Sequence, residues 1–303
     1  MPNQKKKIWK LCVGLGIPVL LIALLAAQIP AFVTGMRSEG TPMAIAHRGA
    51  SLVAPENTIP AYEKALKMGI TAVETDAFYT GDSKIVLSHD GTIDRCSNGT
   101  GRIIDMSLEM LRQYDFGSWF GEEFAGTQIP TLDEFLDTVK DAEQILLEFK
   151  VERVGIVRPM VDMVREHGLM DKVIFQSFAL DSLQACKEYA PEAKVAFLYH
   201  ARSDYAKEAR KDPAGFCRQY NLDALHPNFG GVNASFVRRC KAAGIPLRVW
   251  TVNTPVLIAG LSALGVDGII TDMPEKVSEA ASGSALKRGL SSVVVNLHSI
   301  AMF

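Results

Sequence analysis

Short apolar runs rich in β-branched residues alternate with segments of helical periodicity from residue 42 onward. This alternation is typical of a parallel sheet whose strands are joined by crossover helices. Strands are predicted over residues 43–46, 71–75, 84–87, 144–149, 173–177, 194–198, 223–226, 246–252 and 268–271. Helices are predicted between most of them, over residues 59–68, 132–141, 154–167, 182–189, 205–220, 234–243 and 256–264.

The repeated strand-then-helix unit favours a TIM-type (β/α)8 barrel over a doubly wound sheet. No glycine-rich dinucleotide fingerprint follows any predicted strand, which also disfavours the doubly wound fold. There is one more predicted strand than such a barrel has places, so we expect one of them to be a bridge or an edge strand. The stretch between Asp76 and His89 is too short for a helical crossover. We therefore expect the barrel to be irregular near its second and third strands.

Residues 91–129 interrupt the alternation with a glycine-rich stretch that carries an aromatic cluster. The aromatic residues are Tyr114, Phe116, Trp119, Phe120 and Phe124. We interpret this segment as an insertion that caps the mouth of the barrel. The alternative is an ordinary long loop with a small core of its own, and the two interpretations are compatible.

A basic stub and a long uncharged run precede the barrel. Lysines among residues 5–10 stand before residues 11–34, which contain no charged side chain. About 20 apolar residues suffice to cross a bilayer, so residues 1–37 are predicted to be a cytoplasmic stub and a single-pass transmembrane segment. The basic flank places the globular domain on the extracytoplasmic side. A cleavable signal peptide, cut near Ala26-Ala27, is the alternative.

The remaining chain divides into a barrel over residues 38–275 and a C-terminal tail over residues 276–303. The apolar run of the tail is too short to span a membrane alone. Residues 38–303 carry 27 basic and 34 acidic residues, a formal charge of −7. A domain of this charge has no electrostatic attraction for nucleic acid, so we expect none as a partner. Its cysteines lack zinc-site spacing, and we expect them to be free.

The stretch from Ile70 to Asp90 carries the first candidate chemistry. Glu74 and Asp76 lie two residues apart in a predicted strand, so both carboxylates point to the same face. Their apolar flanking residues favour a strand buried on both sides over a solvated polar face. Glu148, at the end of another strand, adds a third carboxylate. Three carboxylates suit one hard divalent cation, Ca²⁺ or Mg²⁺.

Two histidines and two cations stand at other strand ends, where barrels of this type keep their active sites. His47 and His89 can supply a general acid and a general base near neutral pH, and we favour His89 as the base. Arg48 and Lys150 can neutralise a phosphate. A metal, two cations and two imidazoles around one mouth suit cleavage of a phosphodiester.

Polar residues near these positions are expected to support the site. Glu56 and Asn57 are candidates to orient His47 or Arg48, and a helix N-cap at Asn57 or Thr58 is the alternative.

Three further residues are candidates to face the pocket. Trp250 is expected to wall the substrate pocket, with core packing as the alternative. Gln176 and His226 end predicted strands, and for His226 we favour a hydrogen-bonded structural role.

With these residues in place, the chain resembles the glycerophosphodiester phosphodiesterase family over about residues 43–274. The motifs that carry the resemblance are AHRG at 46–49, PENT at 55–58, ETD at 74–76, HDGTIDRCSNGTG at 89–101, GSWF at 117–120, IPTLDEF at 129–135, LLEFK at 146–150, WTVN at 250–253 and GVDGIITDMP at 265–274. The departures are slight: Asp82-Ser83 stands where an Asp-Gly turn is usual, and Phe149 where isoleucine is commoner.

The resemblance implies a TIM-type barrel with a small inserted cap. It also implies metal-dependent hydrolysis of glycerophosphodiesters to sn-glycerol 3-phosphate and an alcohol. It assigns acid/base roles to His47 and His89, metal ligation to Glu74, Asp76 and Glu148, and phosphate contacts to Arg48 and Lys150.

Other functions stay open at this point. Lysophospholipase D or phospholipase activity on membrane lipids is the nearest alternative, because a membrane span and an aromatic cap bring the site close to lipid. A catalytically inactive, membrane-tethered binding module is a second. An extracytoplasmic domain also has access to glycerol-phosphate polymers of a cell envelope. The motifs leave the alcohol undefined, since specificity for the leaving group lies in the cap and loops.

Overall fold

Eight parallel strands form a barrel in the computed structural model, which describes residues 26–37, 40–150, 154–281 and 283–301. The strands are β1 (Met43–Ala46), β2 (Ala72–Tyr79), β3 (Ile85–Leu87), β4 (Gln144–Phe149), β5 (Val173–Ser177), β6 (Lys194–Tyr199), β7 (Ala224–Pro227), β8 (Arg248–Val249) and β9 (Gly268–Thr271). Their order in the sheet is β7-β6-β5-β4-β2-β1-β9-β8, and parallel bridges beside β8 join it to β7. The predicted TIM-type barrel is confirmed.

Strand β3 lies outside the barrel. It pairs antiparallel with β2, so that Tyr79 faces Ile85 and Ala77 faces Leu87. The third predicted strand is therefore the edge strand expected among the nine, and the expectation that His89 stands at the end of a barrel strand is wrong. Because β3 runs back along β2, it returns the chain to the barrel rim, which explains the irregularity that the short connection predicted. The turn between them places Ser83 at φ +62°, where glycine is usual.

The helices cover the outside of the barrel. They are α1 (Ile29–Arg37), α2 (Ile59–Lys67), α3 (Leu108–Leu111), α4 (Leu132–Thr138), α5 (Val157–Glu166), α6 (Leu180–Tyr189), α7 (Asp204–Lys211), α8 (Pro213–Tyr220), α9 (Ala234–Ala243), α10 (Pro255–Leu264), α11 (Glu275–Ala281) and α12 (Ala285–Ala301). The single helix predicted over residues 205–220 is wrong. Proline has no N–H to continue a helix, so Pro213 starts α8 and Asp212 caps it by accepting from the Gly215 amide at 2.8 Å.

The pleat of the strands positions the polar residues of the site. The floor of the barrel is an apolar cluster of Ile45, Ala72, Leu146 and Ile270. Two positions farther along the same strands or just beyond them stand His47, Glu74, Glu148 and Asp272. Side chains two residues apart share a face of a strand, so these polar groups lie above the floor, toward the C-terminal ends of the strands.

The insertion over residues 91–129 has a core of its own. Its buried apolar residues pack with Val86 of β3 in a separate cluster that contains Ile93, Ile103, Leu111, Phe116 and Ile129. The insertion is thus a small folded unit carried by the β2–β3 hairpin.

The N-terminal helix α1 packs against α12 and α10. Ser292 Oγ donates to the carbonyl oxygen of Ala31 at 2.7 Å, and both residues are buried. The predicted membrane span therefore does not extend to Thr34. Residues 11–25 of that span lie outside the described residues. Among the residues described here, none belongs to a helix long and apolar enough to cross a bilayer.

The C-terminal tail predicted over residues 276–303 contains α11 and α12. Helix α12 lies so close to α10 that a Cβ on Gly260 would overlap the carbonyl oxygen of Ser291. Small residues at this crossing let the two helices pack at short distance.

Gly49 tests how tightly the loop after β1 is packed on α2. Its φ is +84°, and a Cβ at this position would lie 2.7 Å from the carbonyl carbon of Ala61. Gly49→Ala should lower the free energy of unfolding by about 2–4 kcal/mol, through left-handed backbone strain and overpacking. Gly69→Ala is the matched control, with φ +77° and no atom within 4 Å, and should cost only about 1–2 kcal/mol. If the two variants lose the same free energy of unfolding in urea, Gly49 is not closely packed on α2.

Candidate active site

Three carboxylates meet above the apolar floor of the barrel. Glu74 and Asp76 point inward from β2, and Asp76 is paired in register with Glu148 of β4. The three side chains are 2 %, 1 % and 5 % exposed, respectively. Each offers an oxygen within 4.8 Å of the other two. The structure thus brings together the three residues predicted as metal ligands.

Two cations lie against this trio. Lys150 Nζ lies 3.3 Å from Asp76 Oδ1 and 3.0 Å from Glu148 Oε1. Arg48 Nε lies 3.3 Å from Asp76 Oδ2, and the backbone N–H of Arg48 donates to Glu74 Oε2 at 3.1 Å. The backbone of Arg48 is left-handed, at φ +57°, which aims its amide into the site.

The three carboxyl groups differ in pKa: burial and mutual repulsion raise the pKa of Glu74 and Glu148, whereas the pKa of Asp76 is lowered. Burial raises the pKa of Glu74 well above its usual range, and Asp76 and Glu148 add to the rise. Burial and Asp76 raise the pKa of Glu148 to about 8. Burial acts in the same direction on Asp76, but Lys150 and Arg48 outweigh it and hold its pKa well below the usual range.

The donor set fits a hard divalent cation. Two neighbouring cations face three buried carboxylates, and burial, followed by repulsion from Asp76, raises the pKa of Glu74 and of Glu148. Oxygen ligands with uncompensated negative charge are what Ca²⁺ and Mg²⁺ select. A second group, Asp133, Asp137 and His167, also has its ligand atoms close together, but both of its carboxylates are exposed on α4.

His47 is held by a carboxylate from the last barrel strand. Its Nδ1 lies 2.6 Å from Asp272 Oδ1, so the ring donates to that oxygen. Asp272 also accepts from Ser51 Oγ at 3.1 Å, and its backbone N–H donates to Asn253 Oδ1 at 2.9 Å. These bonds fix the orientation of the imidazole and leave Nε2 for the pocket.

His89 is held by a chain of charged residues that ends at Arg48. Its Nδ1 lies 2.7 Å from Asp90 Oδ1, and Arg95 Nε donates to Asp90 Oδ2 at 2.6 Å. Arg95 also binds both oxygens of Glu56, each at 2.7 Å, and Glu56 accepts from Arg48 at 2.7 Å. Burial lowers the pKa of His89, as do Lys150 and Arg48, and Asp76 offsets this only in part.

Asn57 lies behind Asp76, against the outer helix layer. Its Nδ2 donates to Asp76 Oδ2 at 3.0 Å, and its Oδ1 accepts from Tyr62 Oη at 2.9 Å. The Asn57 side chain therefore contacts a carboxylate, while its backbone N–H donates to the carbonyl oxygen of Arg48 at 3.0 Å. Thr58 occupies the N-cap position of α2, but its side chain makes no capping hydrogen bond.

Gln176 and His226 form a buried chain of hydrogen bonds that ends at Glu74. Gln176 Nε2 donates to Glu74 Oε1 at 3.1 Å, and Gln176 Oε1 lies 2.8 Å from His226 Nδ1. Burial, and then Arg248, lower the pKa of His226 well below its usual value. The ring is therefore neutral and donates from Nδ1, which fixes the amide so that its N–H₂ group faces Glu74.

These groups line a cavity of about 80 Å³ whose walls are partly aromatic. Trp250 lines it, donates from Nε1 to the carbonyl oxygen of His226 at 2.6 Å, and packs edge-on against Phe178 with ring centroids 5.3 Å apart. Lys150 also borders a larger open groove of about 570 Å³, which leads away between β2 and the insertion.

Sequence reasoning assigned no role to Asp272, Asp90 or Arg95. Asp90 and Arg95 stand in the HDGTIDRC segment, and Asp272 stands in the TDMP segment. The sequence shows that Asp90 directly follows a histidine and that Asp272 lies just beyond the last strand. It does not show which residues they contact, because Asp272 is 225 positions from His47 in the chain.

A parallel barrel with a carboxylate trio, two anchored imidazoles and two cations at the C-terminal ends of its strands has the machinery of a phosphoric ester hydrolase. A sequence profile of the glycerophosphoryl diester phosphodiesterase family matches residues 47–276. The chain belongs to this family, as the motifs predicted, and it is a phosphoric diester hydrolase.

Individual relatives agree with this assignment. The chain is 35 % identical over 237 residues to a glycerophosphodiester phosphodiesterase of Caldanaerobacter subterraneus, covering 77 % of this chain and 95 % of that protein. A glycerophosphodiester phosphodiesterase of Bacillus subtilis is 30 % identical over 262 residues, which cover 80 % of this chain and 87 % of that protein. The fold also matches a solved structure of an Oleispira antarctica phosphodiesterase in complex with its product, sn-glycerol 3-phosphate. The TM-score is 0.73 at 29 % identity, and the match covers 80 % of this chain and 98 % of that one.

The raised pKa of Glu148 predicts how pH affects the metal-free protein. The folded chain holds this proton to about pH 8, whereas the unfolded chain releases it near its ordinary pKa of 4.5. The folded state then binds more protons, so this group's contribution to stability is lost as pH rises through that interval. In thermal unfolding with EDTA, the parent should lose stability relative to Glu148→Gln between pH 5 and pH 8. A difference that stays constant with pH would contradict the prediction.

Proposed function

We propose that the chain hydrolyses glycerophosphodiesters to sn-glycerol 3-phosphate and an alcohol in a metal-dependent reaction with two acid/base histidines. The observation that carries the proposal is the convergence of Glu74, Asp76 and Glu148 with two anchored imidazoles around one small cavity. The Oleispira antarctica relative binds sn-glycerol 3-phosphate as its product, which supports this choice of substrate class.

The three carboxylates would hold one Ca²⁺ or Mg²⁺ ion. When bound, such an ion neutralises phosphate oxygens and lowers the energy of the charge that develops at phosphorus. The chain's own cations add to this. Arg48 and Lys150 lie against the trio, partly exposed toward the pocket, where they can contact a phosphate oxygen.

The two imidazoles divide the proton transfers. His89 has a lowered pKa and is therefore neutral near pH 7, which suits a base that removes a proton from the nucleophile. The nucleophile is either water or a neighbouring glycerol hydroxyl, and in the second case water must then open the cyclic phosphate to give sn-glycerol 3-phosphate. His47 donates from Nδ1 to Asp272, which holds the ring with Nε2 free for the cavity. This orientation suits an acid that delivers a proton from Nε2 to the leaving alcohol.

A lysophospholipase D or phospholipase activity is the second candidate, and the large groove favours it. The groove borders Lys150 and is walled by Phe78, Tyr79 and Ile104, with Arg102 beside them. An apolar wall next to the phosphate site suits a leaving group that carries hydrocarbon.

Replacing either catalytic candidate should remove most of the turnover. His47→Ala and His89→Ala should each lower kcat by at least about 100-fold, because each removes one proton transfer from the transition state. His167→Ala is the matched control, since that histidine lies beside exposed α4 and away from the cavity. Release of sn-glycerol 3-phosphate from glycerophosphocholine is the measurement. Near-parent turnover in either variant, with unfolding temperature unchanged, would overturn the assignment.

Metal removal and a substrate panel separate the candidate functions. EDTA should abolish turnover of glycerophosphocholine, and added Ca²⁺ or Mg²⁺ should restore it. The panel should include glycerophosphoglycerol, a lysophospholipid and a glycerol-phosphate polymer. Water-soluble diesters should give the highest kcat/KM. A preference for the lysophospholipid, reduced by Ile104→Glu in the groove, would favour the second candidate. Activity that survives EDTA would contradict the metal proposal.

A further inference from the structure

Glu74 is held by uncharged donors, unlike its two partners in the carboxylate trio. Lys150 Nζ lies 3.3 Å and 3.0 Å from oxygens of the other two carboxylates. Glu74 instead accepts from two amide groups, the backbone N–H of Arg48 at Oε2 and the side chain of Gln176 at Oε1, each at 3.1 Å. A neutral donor at each oxygen fixes the plane of the carboxylate without adding a positive charge beside it.

The Gln176 amide is in turn held by His226, on the side away from Glu74. His226 Nδ1 lies 2.8 Å from Gln176 Oε1, and the two side chains are 0 % and 1 % exposed. Because the amide N–H₂ group faces Glu74, the amide oxygen faces the ring, and Nδ1 carries the proton that it donates. Burial, and then Arg248, lower the pKa of the ring, so it stays neutral in this tautomer.

The order of the strands brings these three side chains together inside the barrel. Glu74 is on β2, Gln176 on β5 and His226 on β7, with β4 and β6 between them in the sheet. Side chains from alternate strands share a layer in barrels of this type. Gln176 is paired in register with Ala196 of β6, and the small side chain of this alanine leaves room for Gln176 to reach His226.

The N–H group of His226 therefore affects Glu74 through Gln176. Without that donor, Gln176 Oε1 would be a buried acceptor with no hydrogen bond, which is unfavourable. The Gln176 side chain would then gain by turning toward another donor and away from Glu74. Glu74 would keep only the bond from the Arg48 backbone, and its carboxylate would be free to rotate.

We propose that His226 is a positioning residue for the metal site: acting through Gln176, it holds Glu74 in the orientation that a divalent cation requires. The inference rests on the proposed function, because that function assigns the carboxylate trio to the cation. The alternative is a histidine that satisfies a buried amide and stabilises the barrel without affecting the cation. A measurement of metal affinity separates the two roles.

Calorimetric titration of the metal-free, full-length chain with Ca²⁺ and with Mg²⁺ tests the proposal. His226→Phe keeps a planar ring and removes the donor, whereas His226→Asn keeps an N–H₂ group near the position of Nδ1. Val237→Ala is the control for lost stability, since Val237 is buried on α9 in the outer helix layer. If thermal unfolding shows that His226→Phe does not fold, His226→Met takes its place.

His226→Phe should weaken binding of the cation by about ten-fold, the lower end of the loss that follows when a group supporting a metal ligand is removed. His226→Asn should recover most of this affinity, and Val237→Ala should bind the cation as the parent does. In a Gln176→Met background, His226→Phe should have no further effect on affinity, because the amide through which it acts is already absent.

Two results would overturn the inference alone. Unchanged affinity in His226→Phe, with a lowered unfolding temperature, would show that the histidine serves only stability. The same loss of affinity with and without Gln176 would show that His226 acts by another route. If the parent binds neither cation, the metal-dependent function and the inference fail together, whereas the first two results leave that function in place.

Discussion

The site depends on keeping three carboxylates buried within 4.8 Å of one another. Like charges at this separation repel strongly in a medium of low dielectric constant, and burial alone disfavours each of them. Lys150 and Arg48 offset part of this cost by lying close to Asp76, which stays ionised. Burial and repulsion from Asp76 still raise the pKa of Glu74 and of Glu148, and the three carboxylates together could hold a divalent cation.

The two histidines reach this centre by different routes. His47 follows a barrel strand and is oriented by Asp272 after the last strand, so the closed barrel itself sets its position. His89 comes from outside the barrel, in the loop that follows the returning strand β3. Its position depends on Asp90 and Arg95, and through Glu56 on Arg48. Charged hydrogen bonds therefore link the loop that carries His89 to Arg48, a candidate phosphate-binding residue.

The outer helices join the two ends of the described chain. Helix α1 and helix α12 pack together through Ala31 and Ser292, although 261 positions separate these residues in the chain. This packing brings the start of the described chain to the last helix, whose His298 stacks on Phe229 near the catalytic end of the barrel.

The sequence by itself determined the strand-and-helix alternation and the barrel. It also named the candidate residues of the site, because strand period places Glu74 with Asp76, barrels gather strand ends at one rim, and the family motifs contain these residues. It also predicted an irregularity before His89 from the shortness of that connection. Only the tertiary structure decided that β3 runs antiparallel outside the barrel, that Asp272 holds His47, and that Asn57 serves Asp76. Those contacts join residues far apart in the chain, and no local pattern encodes which distant partner a side chain will meet once the barrel closes.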